Sequence, residues 1–164
     1  MAEIFVNINN YPNYQISNLG NVKNIKFGRI LKARLGSNGY LAVVLSNNGD
    51  TSNKTIHRIV SEEFIPNPEL KPCVDHINHN KNDNNVSNLR WATTIENGQN
   101  RTITINNTSG VIGVSFHKSS QKWRASINND GRNIHLGLFV NKEDAIRVRR
   151  EAEVLYFGEF QAII

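Results

Sequence analysis

The segment from Val74 to Asn97 constrains this chain more strongly than any other part of its sequence. It starts with Asp75-His76, continues through the amide-rich run 78–85 and reaches a Thr-x-x-Glu pattern at Thr93–Glu96. Asn and Asp favour turns because their side chains bond to the nearby backbone, and Thr-x-x-Glu is typical of a capping box that starts a helix. The segment therefore predicts a strand, a long polar loop, a second strand and a helix.

The neighbours Asp75 and His76 would lie on the first of these strands, where adjacent side chains point to opposite faces and can serve different tasks. A neutral imidazole can take a proton from water, so we predict that His76 is a general base. Asp75 is then the candidate ligand for one Mg²⁺ (or Mn²⁺) ion. Asn97, in the first turns of the predicted helix, is the candidate for an amide ligand, because Mg²⁺ keeps several waters and needs few protein ligands. This combination indicates metal-assisted cleavage of a phosphodiester bond.

The same segment resembles the HNH homing endonuclease family, in the Asp-Asn subclass that is typical of intron-encoded and phage nucleases. The residues that carry the resemblance are Asp75-His76, Asn80-Lys81, Asn84-Asn85, Asn88-Leu89, Trp91 and Glu96-Asn97. It implies a ββα-metal core in residues 67–101, with His76 as the base and Asp75 and Asn97 on the metal. It also implies that Asn88 braces the loop that carries the base. His79 departs from the pattern, since relatives commonly carry Gly in this turn, and its role stays open.

A zinc site is the alternative interpretation of these residues. Cys73 is the only cysteine in the chain, which excludes an internal disulfide, and it could join Asp75, His76 and His79 around a metal. That spacing matches no regular zinc template and leaves the two later amides without a role. We therefore favour the Mg²⁺ interpretation.

Residues 1–66 have a different, β-rich pattern. Turn and strand formers alternate from Tyr11 to Val22, and residues 39–45 form a further predicted strand. Apolar residues then follow helical spacing from Ile56 to Phe64, before Pro66. The block resembles the NUMOD4-type module that precedes HNH cores, in Tyr14-x-x-Ser17-Asn18-x-Gly20 and His57-Arg58-x-Val60. We predict that His57, a single imidazole on an amphipathic helix, is structural.

Basic residues cluster within this first block, and they are the candidates for phosphate contacts: Lys26, Arg29, Lys32 and Arg34. A solvated hairpin face is the alternative explanation for any one of them. The whole chain carries 19 Lys and Arg against 14 Asp and Glu, and a formal charge of +5 favours a polyanionic partner. We expect that partner to be double-stranded DNA.

A linker at residues 102–108 is predicted to lead into a third module at residues 109–164. Three segments alternate in polarity, with a turn at Asn129-Asp130-Gly131, and an apolar stripe of Ala145, Val148, Ala152 and Leu155 predicts a helix that packs on them. The module resembles an AP2-type DNA-binding domain, in Gly113-Val114, Lys122-Trp123, Leu136-Gly137-x-Phe139 and Tyr156-Phe157-Gly158. The resemblance places the exposed sheet face in the major groove. Alternation and proximity assign to it Ser115, His117, Lys122, Arg124, Ser126, Asn128, Arg132, Asn133 and His135. An interaction sheet without DNA contact is the alternative.

Together these patterns predict an α+β protein, in which a ββα-metal core lies between a small β-rich module and a three-stranded sheet with one helix. The predicted function is sequence-directed DNA cleavage of the homing type. The alternatives are a non-catalytic DNA-binding regulator and a non-specific HNH nuclease. The sequence has no apolar run near the 20 or so residues of a membrane span and no basic start typical of a signal peptide, so we expect a soluble intracellular protein. Monomer and homodimer both stay open.

Overall fold

A computed structural model describes residues 2–100, 103 and 105–161 of the chain. Residues 101, 102 and 104, at the predicted linker, and residues 162–164 lie outside the described residues. The chain divides into two compact units, Met1–Asn97 and Gly98–Ile164. Over the described residues, the units contain several small antiparallel sheets and few helices, so the predicted α+β class is confirmed.

The first unit begins with two antiparallel sheets. One has the order β1 (Phe5–Ile8), β2 (Tyr11–Ser17), β3 (Val22–Asn24) and β4 (Arg29–Ile30), and the other contains β5 (Arg34–Leu35), β6 (Leu41–Asn47) and β7 (Asp50–Thr55). Asn48 and Gly49 join β6 to β7 with φ angles of 52° and 94°. Positive φ at both positions is what a two-residue hairpin turn requires, and Asn-Gly tolerates it well. The sequence therefore determines this hairpin locally.

Helix α1 (Ile56–Phe64) packs against these sheets. Ile56, Ile59 and Val60 are buried, as their spacing predicted, and the helix ends ahead of the Ile65-Pro66 pair because the residue before proline disfavours helical geometry. The core around the helix includes residues from both parts of the unit: Ile8, Tyr14, Ile16, Val22, Val43, Leu45, Ile56, Ile59, Val60, Val74 and Leu89. Segments 1–66 and 67–97 therefore share one hydrophobic core.

The predicted strand, loop, strand and helix complete the first unit. Strands β8 (Cys73–His76) and β9 (Leu89–Ala92) pair in antiparallel register, and a 3-10 turn at Val86–Asn88 precedes β9. Helix α2 (Thr94–Gln99) begins at the predicted capping box. The Thr93 amide donates to Glu96 Oε2 over 2.6 Å, and the Glu96 amide donates to Thr93 Oγ1 over 3.2 Å. These reciprocal bonds satisfy two amides at the start of the helix.

The second unit has one three-stranded sheet and one long helix. Its elements are β10 (Val114–His117), β11 (Lys122–Asn129), β12 (Arg132–Phe139) and α3 (Lys142–Phe157), followed by a 3-10 turn at Gly158–Phe160. The strand order is β10-β11-β12, and α3 packs on β11 and β12. The register between β11 and β12 shifts by one residue: Ala125 pairs with Gly137, but Ser126 pairs with His135. Leu136 is therefore the extra residue of a bulge.

The buried face of α3 differs from the predicted stripe. Ala145 and Ala152 are buried as expected, but Leu155 is 75% exposed. Arg149 and Glu153 are buried instead, and their side chains form an ion pair of 3.2 Å. The prediction for Leu155 was wrong because an apolar-stripe argument excludes charged residues from the inner face, whereas here two opposite charges enter it as a pair.

Candidate active site

His76 lies at the end of β8, where its ring is buried. Its Nε2 lies 3.1 Å from Asn84 Oδ1, and Asn84 Nδ2 donates to the Asn82 carbonyl over 3.4 Å. Because the amide oxygen can only accept, Nε2 must carry the hydrogen of the neutral ring. The lone pair of the neutral imidazole is then on Nδ1. Asn84, itself buried, therefore selects the His76 tautomer that has a basic Nδ1.

The environment of His76 favours its neutral form. Burial lowers the pKa of His76, while the bond to Asn84 and the nearby charges of Asp75 and Asp83 act in the opposite direction. The net shift is downward from the ordinary value of 6.5. An imidazole that is uncharged at neutral pH can accept a proton, which a general base must do.

Two aromatic rings lie against His76. The ring centroid of Tyr40 is 5.9 Å away in a stacked arrangement, and that of His57 is 5.3 Å away in an edge arrangement. Lys81 Nζ lies 4.5 Å from the centroid of the Tyr40 ring, so a positive charge is held beside the same cluster. The sequence pattern predicted that His57, a single imidazole on an amphipathic helix, is structural. It did not identify His57 as a neighbour of His76.

His57 has an unusual electrostatic position. Its Nδ1 is buried and makes no hydrogen bond to any described residue. Burial, with smaller effects from His76 and Arg58, lowers the pKa of His57 to about 4. The ring next to the candidate base is therefore uncharged under neutral conditions.

Asn88 holds the loop that follows His76. Its side-chain oxygen accepts from the Asn78 amide over 3.0 Å, and its Nδ2 donates to the Asp83 carbonyl over 2.8 Å. Its backbone carbonyl also accepts from the Ile77 amide over 2.9 Å. One residue thus bonds to both ends of segment 77–83.

His79 lies in this loop with a φ of 63°. This is the left-handed region, where Gly is favoured and His is tolerated as an occasional occupant. Its amide donates to the His76 carbonyl over 3.0 Å, so the turn closes directly on the candidate base.

The N-terminal part of the same unit supports the loop from outside. The Val86 amide donates to the Asn18 carbonyl over 2.9 Å. Gly20 has a φ of 86°, and a Cβ built on it would lie 3.0 Å from Cβ of Asn84. The Ser17–Gly20 turn, which carries the NUMOD4 resemblance, therefore packs against the residue that orients His76.

Asp75 is buried on the other face of β8 and faces Arg90 across the β8–β9 pair. Arg90 donates to Asp75 Oδ2 from Nε over 2.9 Å and from a terminal nitrogen over 2.8 Å. Asn97 lies on α2 and is partly exposed. One carboxylate and one amide oxygen are suitable donors for a hard divalent cation that keeps its waters. The donor chemistry therefore fits such an ion. The ion would share the Asp75 carboxylate with Arg90 or take the place of Arg90 at that carboxylate.

The zinc alternative is wrong for the part of the chain that the structure describes. There, no three His, Cys, Asp or Glu side chains come together in a group that could hold a metal. Cys73 instead lies 3.9 Å from Thr94 Oγ1. Its side chain points to the same strand face as Asp75 and away from His76, because strand residues alternate.

The candidate DNA-contacting residues all lie at the surface or are partly exposed. In the first unit these are Lys26, Arg29, Lys32 and Arg34, and in the second they are Ser115, His117, Lys122, Arg124, Ser126, Asn128, Arg132, Asn133 and His135. A shallow cavity of about 450 Å³ on the second unit's sheet is lined by His117, Arg124, Ser126, Asn133, His135 and Leu138. The bulge at Leu136 explains why Leu138 joins this polar face, since one extra residue reverses the alternation after it. Arg132 pairs with Asn129 at the hairpin end of the sheet. Strand alternation therefore places its side chain on the face opposite to that of Asn133.

Family models match two segments of the chain. Residues 3–46 match the NUMOD4 motif, and residues 54–99 match the HNH endonuclease family. These two segments are therefore similar to the NUMOD4 motif and to HNH endonucleases. The HNH match begins before α1 and includes it, whereas the sequence pattern had assigned this helix to the N-terminal module.

Several relatives carry the same family name. The chain is 38% identical over 88 residues to the DNA endonuclease I-HmuI of Bacillus phage SP01, covering 54% of this chain and 51% of that protein. It is 43% identical over 95 residues to the uncharacterized HNH endonuclease L247 of Acanthamoeba polyphaga mimivirus, covering 56% and 24%. These matches span about half or less of each relative's length.

A solved structure is also similar. It describes DNA binding and cleavage by the HNH homing endonuclease I-HmuI, and it matches with a TM-score of 0.57 and 27% identity. The match covers 93% of this chain and 89% of that chain. The fold class predicted from the sequence is thus shared with a homing endonuclease. None of the described helices has the length and apolar character needed to cross a membrane.

Proposed function

We propose that this protein is a DNA endonuclease of the homing type, which hydrolyses phosphodiester bonds in double-stranded DNA with His76 as general base. The observation that carries the proposal is the bond between His76 Nε2 and Asn84 Oδ1. It leaves the basic lone pair on Nδ1, and burial lowers the pKa of His76, which favours the neutral ring at neutral pH. The family match and the relatives named as endonucleases support the same chemistry.

In the proposed mechanism, water attacks phosphorus in line with the leaving 3′-oxygen, and His76 Nδ1 takes a proton from that water. Asn84 holds the ring in the reactive tautomer throughout, and Asn88 keeps the adjoining loop in place. HNH endonucleases generally depend on a divalent metal. Mg²⁺ or Mn²⁺, held by Asp75 and Asn97, would supply positive charge to the phosphate and the leaving oxygen.

DNA would be held by both units. The exposed basic residues from Lys26 to Arg34 would contact phosphates, and the polar sheet face of the second unit would lie in the major groove. Arg124 can bond bidentately to guanine there, and Asn128 or Asn133 can pair with adenine. These contacts would direct cleavage to particular sequences, which separates this proposal from a non-specific nuclease.

The experiment is a cleavage assay on a library of random-sequence duplexes with Mg²⁺, followed by sequencing of the new ends. The parent should cut a restricted set of sequences. His76→Ala should lower the cleavage rate by about 100-fold or more, because a positioned general base contributes at least that much. The affinity for uncut duplexes should stay within about twofold, since this substitution leaves the proposed phosphate and base contacts in place.

His79→Gly is the matched control, because it removes an imidazole from the same loop at a positive φ that Gly adopts readily, without changing the proposed base. Cleavage by His76→Ala at the parental rate would exclude the proposed base. Cut sites that spread evenly over the library would identify a non-specific nuclease, and DNA binding without any cleavage by the parent would identify a regulator.

A further inference from the structure

The turn between β3 and β4 presents an aromatic side chain at its tip. This turn, Ile25–Gly28, closes with a bond from the Gly28 amide to the Ile25 carbonyl over 3.3 Å, and Asn24 Oδ1 accepts from the Phe27 amide over 3.1 Å. Gly28 has a φ of 66°, and no described atom lies within 4 Å of the position its Cβ would take. The turn is therefore ordered by its own bonds and projects from the sheet.

Phe27 is 63% exposed at this tip, and the flanking Ile25 and Ile30 are 43% and 50% exposed. Leu35 and Leu70 of the same unit are also 65% and 84% exposed, so exposure alone does not distinguish this turn, but Phe27 is the aromatic residue among the exposed large hydrophobics described for the unit. A large apolar side chain on an ordered, protruding turn is suited to contact with another molecule.

The charges around Phe27 indicate what that molecule is. Lys26 Nζ lies 5.7 Å and the Arg29 guanidinium 5.4 Å from the centroid of its ring. Residues 22–35 contain five basic side chains and no acidic one. An aromatic ring framed by cations complements a polyanion that also carries stacked aromatic bases, because the ring can stack while the cations contact phosphates.

We infer that Phe27 is an aromatic wedge that enters the DNA minor groove and stacks at a base step, while Lys26 and Arg29 contact the phosphates beside it. This inference rests on the proposed function for the identity of the partner. It assigns to the turn a contact that phosphate-binding residues alone would not make. Apolar wedges of this kind partly unstack a base step and bend the duplex.

The test measures binding of the full chain to 30-bp random-sequence duplexes in EDTA, over 50–200 mM KCl. Phe27→Ala should weaken binding by about 5- to 100-fold, the range found when base stacking by an aromatic side chain is removed. The slope of log K against log salt should not change, because every cation is kept. Lys26→Gln should instead reduce the slope by about 1. Leu155→Ala, at a 75% exposed apolar position of the second unit, is the matched control and should bind like the parent.

Phe27→Trp supplies a second variant with a direct signal. It should bind within about twofold of the parent, and its added indole emission should be quenched by the duplex as the ring stacks. Leu155→Trp should show no such quenching. The wedge is overturned if Phe27→Ala binds as tightly as the parent, if its loss of affinity comes with a smaller salt slope, or if the indole signal is unaffected by DNA.

Cleavage of the same duplexes with Mg²⁺ separates this inference from the proposed function. A parent that cuts, with Phe27→Ala binding normally, refutes the wedge alone. A parent that binds but does not cut, with Phe27→Ala weakened, refutes the nuclease and supports the wedge. No duplex binding by the parent at any of these salt concentrations overturns both.

Discussion

Replacing His57 with Phe should make the stability of the first unit less dependent on pH. Burial and the neighbouring His76 lower the pKa of His57 to about 4 in the folded chain, against 6.5 for an ordinary imidazole. Between these two values the unfolded chain binds a proton that the folded chain does not. Stability is therefore fully present above pH 6.5 and is lost as the pH falls towards 4, where both states become protonated.

The size of the effect follows from this window. Each pH unit within it costs about 1.4 kcal/mol, so the interval from 6.5 to about 4 sets an upper limit of about 3 kcal/mol. The His57 ring is only partly buried, and solvent screening reduces that limit, so we expect about 2 kcal/mol. Phe removes the titrating group and keeps an aromatic ring against Tyr40, whose centroid lies 4.5 Å from that of His57.

The assay is urea unfolding at pH 7.5 and pH 4.5. The chain has two tryptophans, so a Trp123→Phe background leaves Trp91 as the reporter of the first unit. Trp91 packs against the core of that unit, and its Nε1 donates to the Ile65 carbonyl over 2.9 Å. In this background the free energy of unfolding should fall by about 2 kcal/mol more between the two pH values than in the His57→Phe variant.

Comparison of the two proteins isolates His57, because every other titrating group is common to both. His135→Phe, an exposed imidazole in the second unit, is the control and should keep the parental pH dependence. Equal pH dependence with and without His57 would refute the low pKa and the burial argument behind it.

Two further predictions concern the support of His76. Asn84→Ala should lower the cleavage rate by about fivefold at unchanged DNA affinity, since one hydrogen bond of about 1 kcal/mol selects the tautomer; ¹⁵N NMR of His76 that still shows hydrogen only on Nε2 would contradict this. Gly20→Ala should destabilise the first unit by about 1–2 kcal/mol because of its positive φ, and it should shift the Asn84 resonances because the added methyl crowds that residue; parental stability in urea would contradict the strain.

Local structure was the part that the sequence predicted best. The Thr93–Glu96 capping box and the apolar face of α1 each depend on residues within a few positions of one another. Their geometry is set by short-range bonds and by helical or strand periodicity, which the order of residues displays directly. The side-chain partners of His76 were not predictable in this way.

Asn84 shows why. Segment 78–85 contains five asparagines, and nothing in their order distinguishes the one that reaches the imidazole. The distinction arises in three dimensions, because Gly20 approaches Asn84 closely and leaves its side chain in the interior. His57 was missed for a related reason, since its position on α1 predicts burial but does not say that His76 lies beside it. Long-range packing supplied both contacts.

The loop after His76 also explains why this candidate base depends on residues outside the HNH match. This loop has few apolar side chains. Its shape is set by side-chain oxygens that each accept a hydrogen bond from the backbone amide two residues later in the chain, and these acceptors belong to Asn78, Asn80, Asp83 and Asn85. Such local bonds are weak individually and compete with water. Packing of the loop against the Ser17–Gly20 turn and the shared core holds these bonds in one geometry. We therefore expect that the whole first unit is needed to hold His76 in the tautomer proposed for the base.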